Sequence, residues 1–259
     1  MPHRHDAYLD LVNERLTRIA SNESGHIEDA ATICADAIGD GRIAWVFGAG
    51  HSAVMALEAY PRIGGIFGFV PMVELSLLYF SNVVGSGGLD QAIFLERAEG
   101  YAESILLSHD PQPGDAMVIF SSSGVEVLPR QMAKGARDRG LKVIAVTSTE
   151  YSAEAKRRRG LHATLADGAD VVIDNSVPPG DAILALEGLD NLVGPSSTML
   201  NIAIMNSIAV DTAGILLDRG ISPSVFHSPH LETSGTDAYR EALRRFRRLV
   251  ARAGPEDGR

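Results

Sequence analysis

The feature of this sequence that most constrains its fold is a set of short apolar runs separated by segments with helical periodicity. The runs span residues 42–47, 67–73, 116–120, 142–146 and 169–173. Short continuous apolar runs that are joined through helices are typical of parallel strands covered on both faces. We therefore predict an α/β fold, a doubly wound three-layer α/β/α sandwich with a five-stranded parallel sheet, in which ligands bind at the carboxyl ends of the strands.

Helical patterns flank these runs. Apolar residues at helical spacing predict two helices before the first strand, the second over residues 26–38. A long apolar helix is predicted over residues 198–217 and an amphipathic helix over residues 239–250, whereas the glycines within residues 81–89 predict a loop or lid. The remaining predicted helices follow the first strand as far as residue 60 and span residues 90–108 and 128–139.

The length and composition of the chain suit one domain. A chain of 259 residues with an apolar share of 45% has enough material for a sizeable core. We expect a single domain over residues 1–259, in which residues 1–40 form N-terminal helices, residues 41–220 the α/β core and residues 221–259 a C-terminal segment and helix.

The charge of the chain argues against nucleic acid as a partner. It has 33 acidic and 23 basic residues, giving a net charge of −10. Contacts with many phosphates need a concentrated positive surface. The basic runs at residues 156–159 and 244–248 are interpreted as solvated surface, the second on the polar face of a helix. A small anion site remains compatible with this charge, because such a site needs only local donors.

Several features favour a cytoplasmic protein without a membrane span. No apolar secretory segment is visible at the N-terminus. Cys34 is the only cysteine, so an internal disulfide is excluded, and its alanine-rich helical surroundings predict core packing. Residues 198–217 are expected to form a core or subunit-interface helix, because they contain polar residues that a bilayer would bury at a cost. These polar residues are Asn201, Asn206, Ser207, Asp211 and Thr212.

Polar residues follow the third predicted strand directly before a helix. They are Ser121, Ser122 and Ser123, and Gly124 comes next. Hydroxyls and backbone N–H groups at a helix start can bind an oxyanion, and glycine allows the backbone to approach it closely. A plain helix cap would use the same residue types. We favour an anion site, because polar or small residues also follow other strands, at residues 48–52, 147–149 and 174–175.

The first of these loops admits a second interpretation. Gly48, Gly50 and Ala53 match a dinucleotide-binding pattern, and Glu74 lies near where an acid that binds the ribose would be expected. However, two helices precede this strand, whereas a dinucleotide-binding unit usually begins with it, and the serine loop has no part in the pattern. We therefore expect no cofactor, with the NAD alternative left open. No cluster of Cys and His predicts a metal site.

Seven short motifs follow one another along most of the chain. The motifs occupy residues 48–52, 58–65, 121–124, 140–148, 173–175, 179–181 and 195–198. Together they resemble the SIS (sugar isomerase) domain family, and within it bacterial proteins related to phosphoheptose isomerase. The resemblance implies a flavodoxin-like strand order. It is specific for the fold and the superfamily but not for a reaction, because that superfamily includes isomerases, an etherase and sugar sensors.

The resemblance also implies what the chain binds. A sugar phosphate, or a sugar with a similar anionic group, is the expected ligand. A homodimer or homotetramer is expected, with active sites completed near a subunit boundary. The residues implied to hold the phosphate are Ser52, Ser121, Ser123, Ser148 and Ser197, and the other residues expected to bind the substrate in these loops are Gly50, Ser122, Gly124 and Thr147.

Aldose–ketose isomerisation needs a base that moves a proton between adjacent carbons through an enediol. Glu58 is the best candidate for the base. Arg62, one helical turn later, can pair with Glu58 or bind the ligand. A surface ion pair without a catalytic role is the alternative. Glu74 and Glu126 are reserve candidates, and Glu126, just past the serine loop, is also expected to contact the substrate.

Histidine suits acid–base work at the ring oxygen, since its unperturbed pKa is about 6.5. His51 lies in the first loop itself. His227 and His230 follow the last long helix, from which they can reach a neighbouring subunit's site. His51 is the preferred helper, and His227 is a candidate for substrate binding.

Three functions fit these residues. The first is a phosphosugar isomerase with Glu58 as base, His51 as helper and the serines as anion cradle. The second is a sugar-phosphate-binding regulatory module without turnover, although the first 40 residues show no clear helix-turn-helix. The third is a lyase or etherase that acts on an amino-sugar phosphate. Solvent-proton exchange helps to separate the first from the third, because only the isomerase returns the proton to a neighbouring carbon.

Overall fold

The apolar runs form the expected parallel sheet in a computed structural model, which describes residues 3–78, 88–228 and 237–252. Neighbouring strands are parallel and lie in the order β2-β1-β3-β4-β5. This arrangement confirms the predicted α/β sandwich and its flavodoxin-like order. The strands are β1 (Ala44–Gly48), β2 (Phe69–Met72), β3 (Ala116–Phe120), β4 (Lys142–Thr147) and β5 (Val171–Asp174).

Helices cover both faces of the sheet. They are α1 (Arg4–Asn22), α2 (Ser24–Gly39), α3 (Ala53–Ala59), α4 (Gly88–Arg97), α5 (Tyr101–His109), α6 (Val127–Asp138), α7 (Thr149–Arg159), α8 (Ser197–Asp218) and α9 (Asp237–Arg252). Successive strand residues point to opposite faces. Val46 and Val118 therefore pack in a core with α2 and α8, whereas Trp45 and Met117 pack in a second core with α5 and α6.

Parts of the fold differ from the sequence expectations. The helix expected over residues 90–108 is two helices, because Gly100 takes a left-handed φ of 82° between them. Helix α7 is not expected from the sequence, since Ser152 is its one buried residue and it lacks an apolar stripe. An antiparallel hairpin of β6 (Ala182–Leu184) and β7 (Val193–Pro195) is also new. The loop expected at residues 81–89 lies outside the described residues, except for the first two residues of α4.

Cys34 lies in the core, as its surroundings predict. Its side chain on α2 is fully buried. Burial raises the pKa of the Cys34 thiol to about 12. Because the thiolate is the reactive form of cysteine, this residue is a structural part of the core at neutral pH.

Helix α8 is long and apolar enough to cross a membrane by length and composition. In the fold it packs against α2 and α3. Two of its buried polar atoms have partners: Asn201 Oδ1 accepts from Asn175 Nδ2 at 2.9 Å, and Thr212 Oγ1 donates to the carbonyl of Ile208 at 2.7 Å. The buried Asn201 Nδ2 has no hydrogen-bond partner within the described residues. Another part of its surface is exposed, including Val210, which is 69% exposed.

Candidate active site

A pocket of about 250 Å³ opens at the carboxyl ends of β1 and β3. The chain runs from β1 to β2 on one side of β1, and β3 lies on the other side, so the strand order reverses between β1 and β3. Doubly wound sheets bind ligands at such a switch point. The pocket is lined by Phe47, Ala49, His51, Ser52, Glu96, Phe120, Ser121, Ser122, Ser123, Glu126, Pro129, Tyr151 and Asp181.

The loop after β1 is shaped by two glycines. A side chain at Gly48 would place its Cβ 2.3 Å from the carbonyl oxygen of Ser52, so the backbone approaches itself more closely than another residue allows. Gly50 has a left-handed φ of 58°, which glycine adopts at little cost. The resulting single 3₁₀ turn, Gly50–Ser52, brings His51 and Ser52 to the pocket.

The serine loop after β3 is held from within and from β4. Ser121 donates its N–H to the carbonyl of Val146 at 3.1 Å, and its hydroxyl accepts from the N–H of Gly124 at 3.2 Å. Gly124 has a φ of 62°, and a Cβ there would lie 2.9 Å from Thr147 Oγ1. The sequence therefore needs glycine at this position.

Several donors of this loop are left for a ligand. The N–H groups of Ser122 and Ser123 have no hydrogen-bond partner among the residues that the structure describes. The same holds within those residues for the hydroxyls of Ser52, Ser122 and Ser123, which line the pocket. Because helix α6 begins just beyond the loop, N–H groups and hydroxyls at this point form a suitable cradle for an oxyanion.

Thr147 and Ser148 serve a different purpose. Both are buried, and neither is among the described residues that line the pocket. Ser148 Oγ donates to the carbonyl of Val177 at 2.6 Å and accepts from the N–H of Tyr151 at 3.0 Å, which caps α7. Thr147 Oγ1 donates to the carbonyl of Ser122 at 3.3 Å and lies 3.0 Å from Ser152 Oγ. These hydroxyls support the serine loop from behind.

Three carboxylates line the pocket beside the cradle, those of Glu96, Glu126 and Asp181. Glu126 Oε1 accepts from Arg159 Nη1 at 2.7 Å, and Arg97 Nε lies 3.6 Å from Oε2. The structure thus brings together His51, Ser52, all three serines of the loop and Glu126. Gly50 and Gly124 shape the backbone next to them.

The pocket also has three lining residues that the sequence did not predict there, Glu96, Tyr151 and Asp181. Asp181 accepts from the N–H groups of Ser196 and Ser197 at 2.9 and 2.8 Å, and from the Ser197 hydroxyl at 2.7 Å. It therefore caps the start of α8, and Ser197 reaches the pocket only through it. The motif at residues 179–181 was the one available signal for Asp181.

Glu58 lies outside the described lining of the pocket. It is on α3, and Nε of Arg62, which lies beyond the end of that helix, is 2.9 Å from its Oε1. Asn206 of α8 donates to the same oxygen at 3.5 Å. Within one chain, Glu58 and Arg62 form the ion pair at helical spacing that was the alternative interpretation of these residues.

The other candidates also lie away from the pocket. Glu74 pairs with His109, with 3.3 Å between Oε1 and Nε2, which gives the dinucleotide alternative no added support. His227 stacks on Tyr239 of α9 with ring centroids 4.5 Å apart. His230 lies outside the described residues. In the part of the chain that the structure describes, no three His, Cys, Asp or Glu side chains are grouped as a metal site would need.

Comparisons with known proteins agree with this architecture. A family model described as SIS domain matches residues 7–148. A UPF0309 protein of Brucella canis is 36% identical over 242 residues, covering 93% of this chain and 96% of its own. A UPF0309 protein of Listeria monocytogenes is 32% identical over 236 residues, covering 91% of this chain and 92% of its own.

Solved structures with the same fold include two phosphoheptose isomerases. The one from Francisella tularensis has a TM-score of 0.53 and 16% identity, and the match covers 80% of this chain and 95% of that one. The one from Neisseria gonorrhoeae has the same TM-score and identity, with 82% and 97% covered. At this identity the likeness extends to the fold.

Proposed function

Because the chain belongs to the SIS domain family, we propose that it binds a phosphorylated or similarly anionic sugar and interconverts its aldose and ketose forms. The observation that supports this proposal is the pocket at the switch point, where the N–H groups and hydroxyls of Ser122 and Ser123 remain available to an oxyanion. A hydroxyl-lined cradle of this kind binds the anionic end of the sugar, so that its carbonyl end points toward the acid–base groups.

The proposed reaction moves one proton between two carbons. A base removes the proton from the carbon next to the carbonyl, and the electron pair of that C–H bond forms the enediol double bond as the carbonyl oxygen gains a proton. The reverse sequence at the neighbouring carbon then yields the isomer. His51 lines the pocket and is the proposed acid–base group at the ring oxygen.

Glu58 remains the proposed base, in a homo-oligomer. Apolar side chains lie exposed on the helices around it, including Leu57 on α3, which is 50% exposed, and Val210 on α8. Burial of such side chains favours association of a second copy on this face. We propose that the assembly brings Glu58 to the pocket of a neighbouring subunit, where its pairing with Arg62 would be exchanged for contact with the substrate.

The test of this function combines binding and turnover. The purified protein is screened by thermal shift with a pentose, a hexose, an amino-hexose and a heptose phosphate, with a sulfosugar, and with NAD and NADP. A ligand at 100 times its Kd should stabilise the fold by about 2.7 kcal/mol. We expect stabilisation by an anionic sugar, and its isomerisation in deuterated water with deuterium incorporated at carbon.

Variants then separate the roles. Glu58→Gln and His51→Asn should lose turnover but keep the thermal shift, whereas Ser123→Ala should reduce the shift. Stabilisation by NAD or NADP alone would contradict the proposal and support the dinucleotide alternative. A sugar phosphate that binds without turnover would indicate a regulatory module, and loss of a substituent would indicate a lyase or etherase.

The proposed homo-oligomer is tested by sedimentation. Val210→Asp places a charge on the exposed face of α8 and should shift the sedimentation of the protein to that of a monomer, with turnover lost and anion binding kept. A wild-type protein that already sediments as a monomer would remove the proposed role of Glu58.

Two further parts of the proposal concern the whole chain. We propose that residues 1–259 act as one domain, since helices α1 and α2 pack in the same core as the sheet. We also propose a cytoplasmic location, because the one cysteine is a buried free thiol, which suits a reducing compartment.

A further inference from the structure

The charges of the residues that line the pocket are unfavourable for binding an anion. Three of its described lining residues carry carboxylates, and no lysine or arginine is found among the same lining residues. A carboxylate close to a bound anion repels it, and this repulsion is stronger in a partly buried site than in water. An anion therefore binds more tightly where the charge of such a carboxylate is compensated from nearby.

The compensation of Asp181 comes from the backbone. The N–H groups of Ser196 and Ser197 donate to its Oδ1, at the start of α8. The N-terminus of a long helix carries partial positive charge, which offsets a carboxylate held there. The hydroxyls of Ser196 and Ser197 also donate to this carboxylate, but its two main-chain hydrogen bonds are ones that no side-chain substitution removes.

The compensation of Glu126 comes from two arginine side chains. Arg159, the last residue of α7, donates to Oε1 at 2.7 Å, and Arg97, the last residue of α4, brings its Nε to 3.6 Å from Oε2. Glu126 Oε2 is buried and accepts no hydrogen bond within the described residues. The side chain of Glu126 is 20% exposed, so its charge is only partly screened by water.

We propose that Arg159 and Arg97 determine the specificity of the pocket for anions by acting through Glu126. Neither arginine is among the described residues that line the pocket, but together they neutralise the carboxylate that lies beside the serine cradle. This inference rests on the proposed function, because it concerns the anion that the same pocket binds. It also assigns a role to Arg159 within a basic run whose charges the sequence alone suggests to be solvated.

The basic run provides its own control. Arg158 precedes Arg159 in α7 but pairs with Glu154 of the same helix, with Nε 2.5 Å from Oε1. Glu154 is also bound by Arg157, and hydrogen bonds from these two arginines lower its pKa. Replacing Arg158 therefore removes one positive charge from the same helix without uncovering a carboxylate of the pocket.

The experiment measures the affinity for inorganic phosphate by isothermal titration calorimetry, so that contacts with a sugar play no part. Arg159→Met should weaken phosphate binding by about tenfold, because it uncovers a carboxylate that is only partly screened. Arg158→Met should change it by less than about twofold, since exposed charges contribute little. Glu126→Gln should bind at least as tightly as the wild type.

A double variant tests whether Arg159 acts through Glu126. Arg159→Met combined with Glu126→Gln should bind phosphate as Glu126→Gln does, since the charge that Arg159 compensates is gone, and Arg159→Lys should keep most of the affinity. Thermal unfolding without ligand shows whether each variant is folded, and Arg97→Met replaces Arg159→Met if the latter is not. A folded Arg159→Met or Arg97→Met protein with wild-type affinity would overturn the inference and leave the proposed function intact.

Two other results would also overturn it. If Glu126→Gln fails to restore the affinity of Arg159→Met, then Arg159 binds the anion directly or supports the fold, and the route through Glu126 is wrong. If the wild type binds neither inorganic phosphate nor any sugar phosphate, the proposed function and this inference are both wrong.

Discussion

The loops after β3 and β4 have nearly the same residue types but use them in opposite ways. After β3, the N–H groups and hydroxyls of Ser122 and Ser123 make no hydrogen bond within the described residues and lie at the pocket. At the end of β4, the hydroxyls of Thr147 and Ser148 are buried and bonded to neighbouring segments. The resemblance to SIS proteins implies that Ser121, Ser123 and Ser148 all bind phosphate, whereas the structure suits the β3 loop to this task and the β4 loop to its support.

The difference comes from the position of each loop in the sheet. β3 lies next to β1 at the switch point, where the connections diverge and leave a crevice. β4 lies between β3 and β5, and the chain after it turns into α7, whose residues cover the strand end. Similar hydroxyls are thus open to a ligand in one loop and used for internal hydrogen bonds in the other.

Gly124→Ala should have the largest effect, because at this glycine the β3 loop packs closely against Thr147 and Ser152. Its left-handed backbone strains any other residue, and an added Cβ would lie 2.9 Å from Thr147 Oγ1 and 3.0 Å from Ser152 Oγ. We expect a loss of about 3 kcal/mol in the free energy of unfolding, measured by urea denaturation, together with loss of phosphate binding.

Gly160→Ala is the matched control for that change. Gly160 has the same φ of 62°, but nothing lies within 4 Å of the position of its Cβ. It should cost about 1 kcal/mol through backbone strain alone. Equal losses in the two variants would show that the contact between the loops is not what requires Gly124.

Ser148→Ala should reduce stability by about 2 kcal/mol, since it removes a helix cap and leaves the buried carbonyl of Val177 without its donor. Chemical denaturation measures this loss. Ser21→Ala, which removes an exposed hydroxyl bonded within α1, should cost less than about 0.5 kcal/mol. If Ser148→Ala keeps full stability and instead loses phosphate binding, Ser148 binds the anion and the comparison between the loops is wrong.

Ser122→Ala and Ser123→Ala should show the reverse pattern. Neither hydroxyl has a partner within the described residues, so stability should change by less than about 0.5 kcal/mol. The affinity for phosphate should fall by up to about tenfold for each, the value of one hydrogen bond to a charged ligand. Titration calorimetry on the two variants and the wild type measures this change. Unchanged affinity in both would place the anion elsewhere in the pocket.

Thr147→Val should have the smallest effect. The hydroxyl of Thr147 contacts the carbonyl of Ser122 at 3.3 Å, a long hydrogen bond, and Ser152 keeps its own bond of 2.7 Å to the carbonyl of Ser123. We expect a loss of about 1 kcal/mol in unfolding free energy and a change of less than about twofold in phosphate affinity. Thr147→Ser, which keeps the hydroxyl, should differ less from the wild type in both quantities. A tenfold loss of phosphate affinity in Thr147→Val alone would mean that the β4 loop contacts the ligand.

The elements that the sequence predicted well are those that bury an apolar face. Strands buried on both faces and helices with an apolar stripe leave a pattern along the chain, so β1 and α2 appear close to their predicted positions. Helix α7 buries little and has no such pattern, and the strands of the β6–β7 hairpin are too short for one. Asp181 was missed as a pocket residue, because its place follows from that hairpin.

The sequence by itself determined the order along the chain of the five sheet strands and of the helices with an apolar stripe, the need for glycine where the backbone turns sharply, and the polar character of the strand ends. Each of these depends on residue type and on neighbours within a few positions. Only the tertiary structure decided which hydroxyls stay open to the pocket, that Glu58 lies outside it in one chain, and that Arg159 pairs with Glu126, 33 residues earlier. Hydrogen bonds and ion pairs between distant segments form only when the sheet brings those segments together, and local sequence carries no record of which partner each side chain will meet.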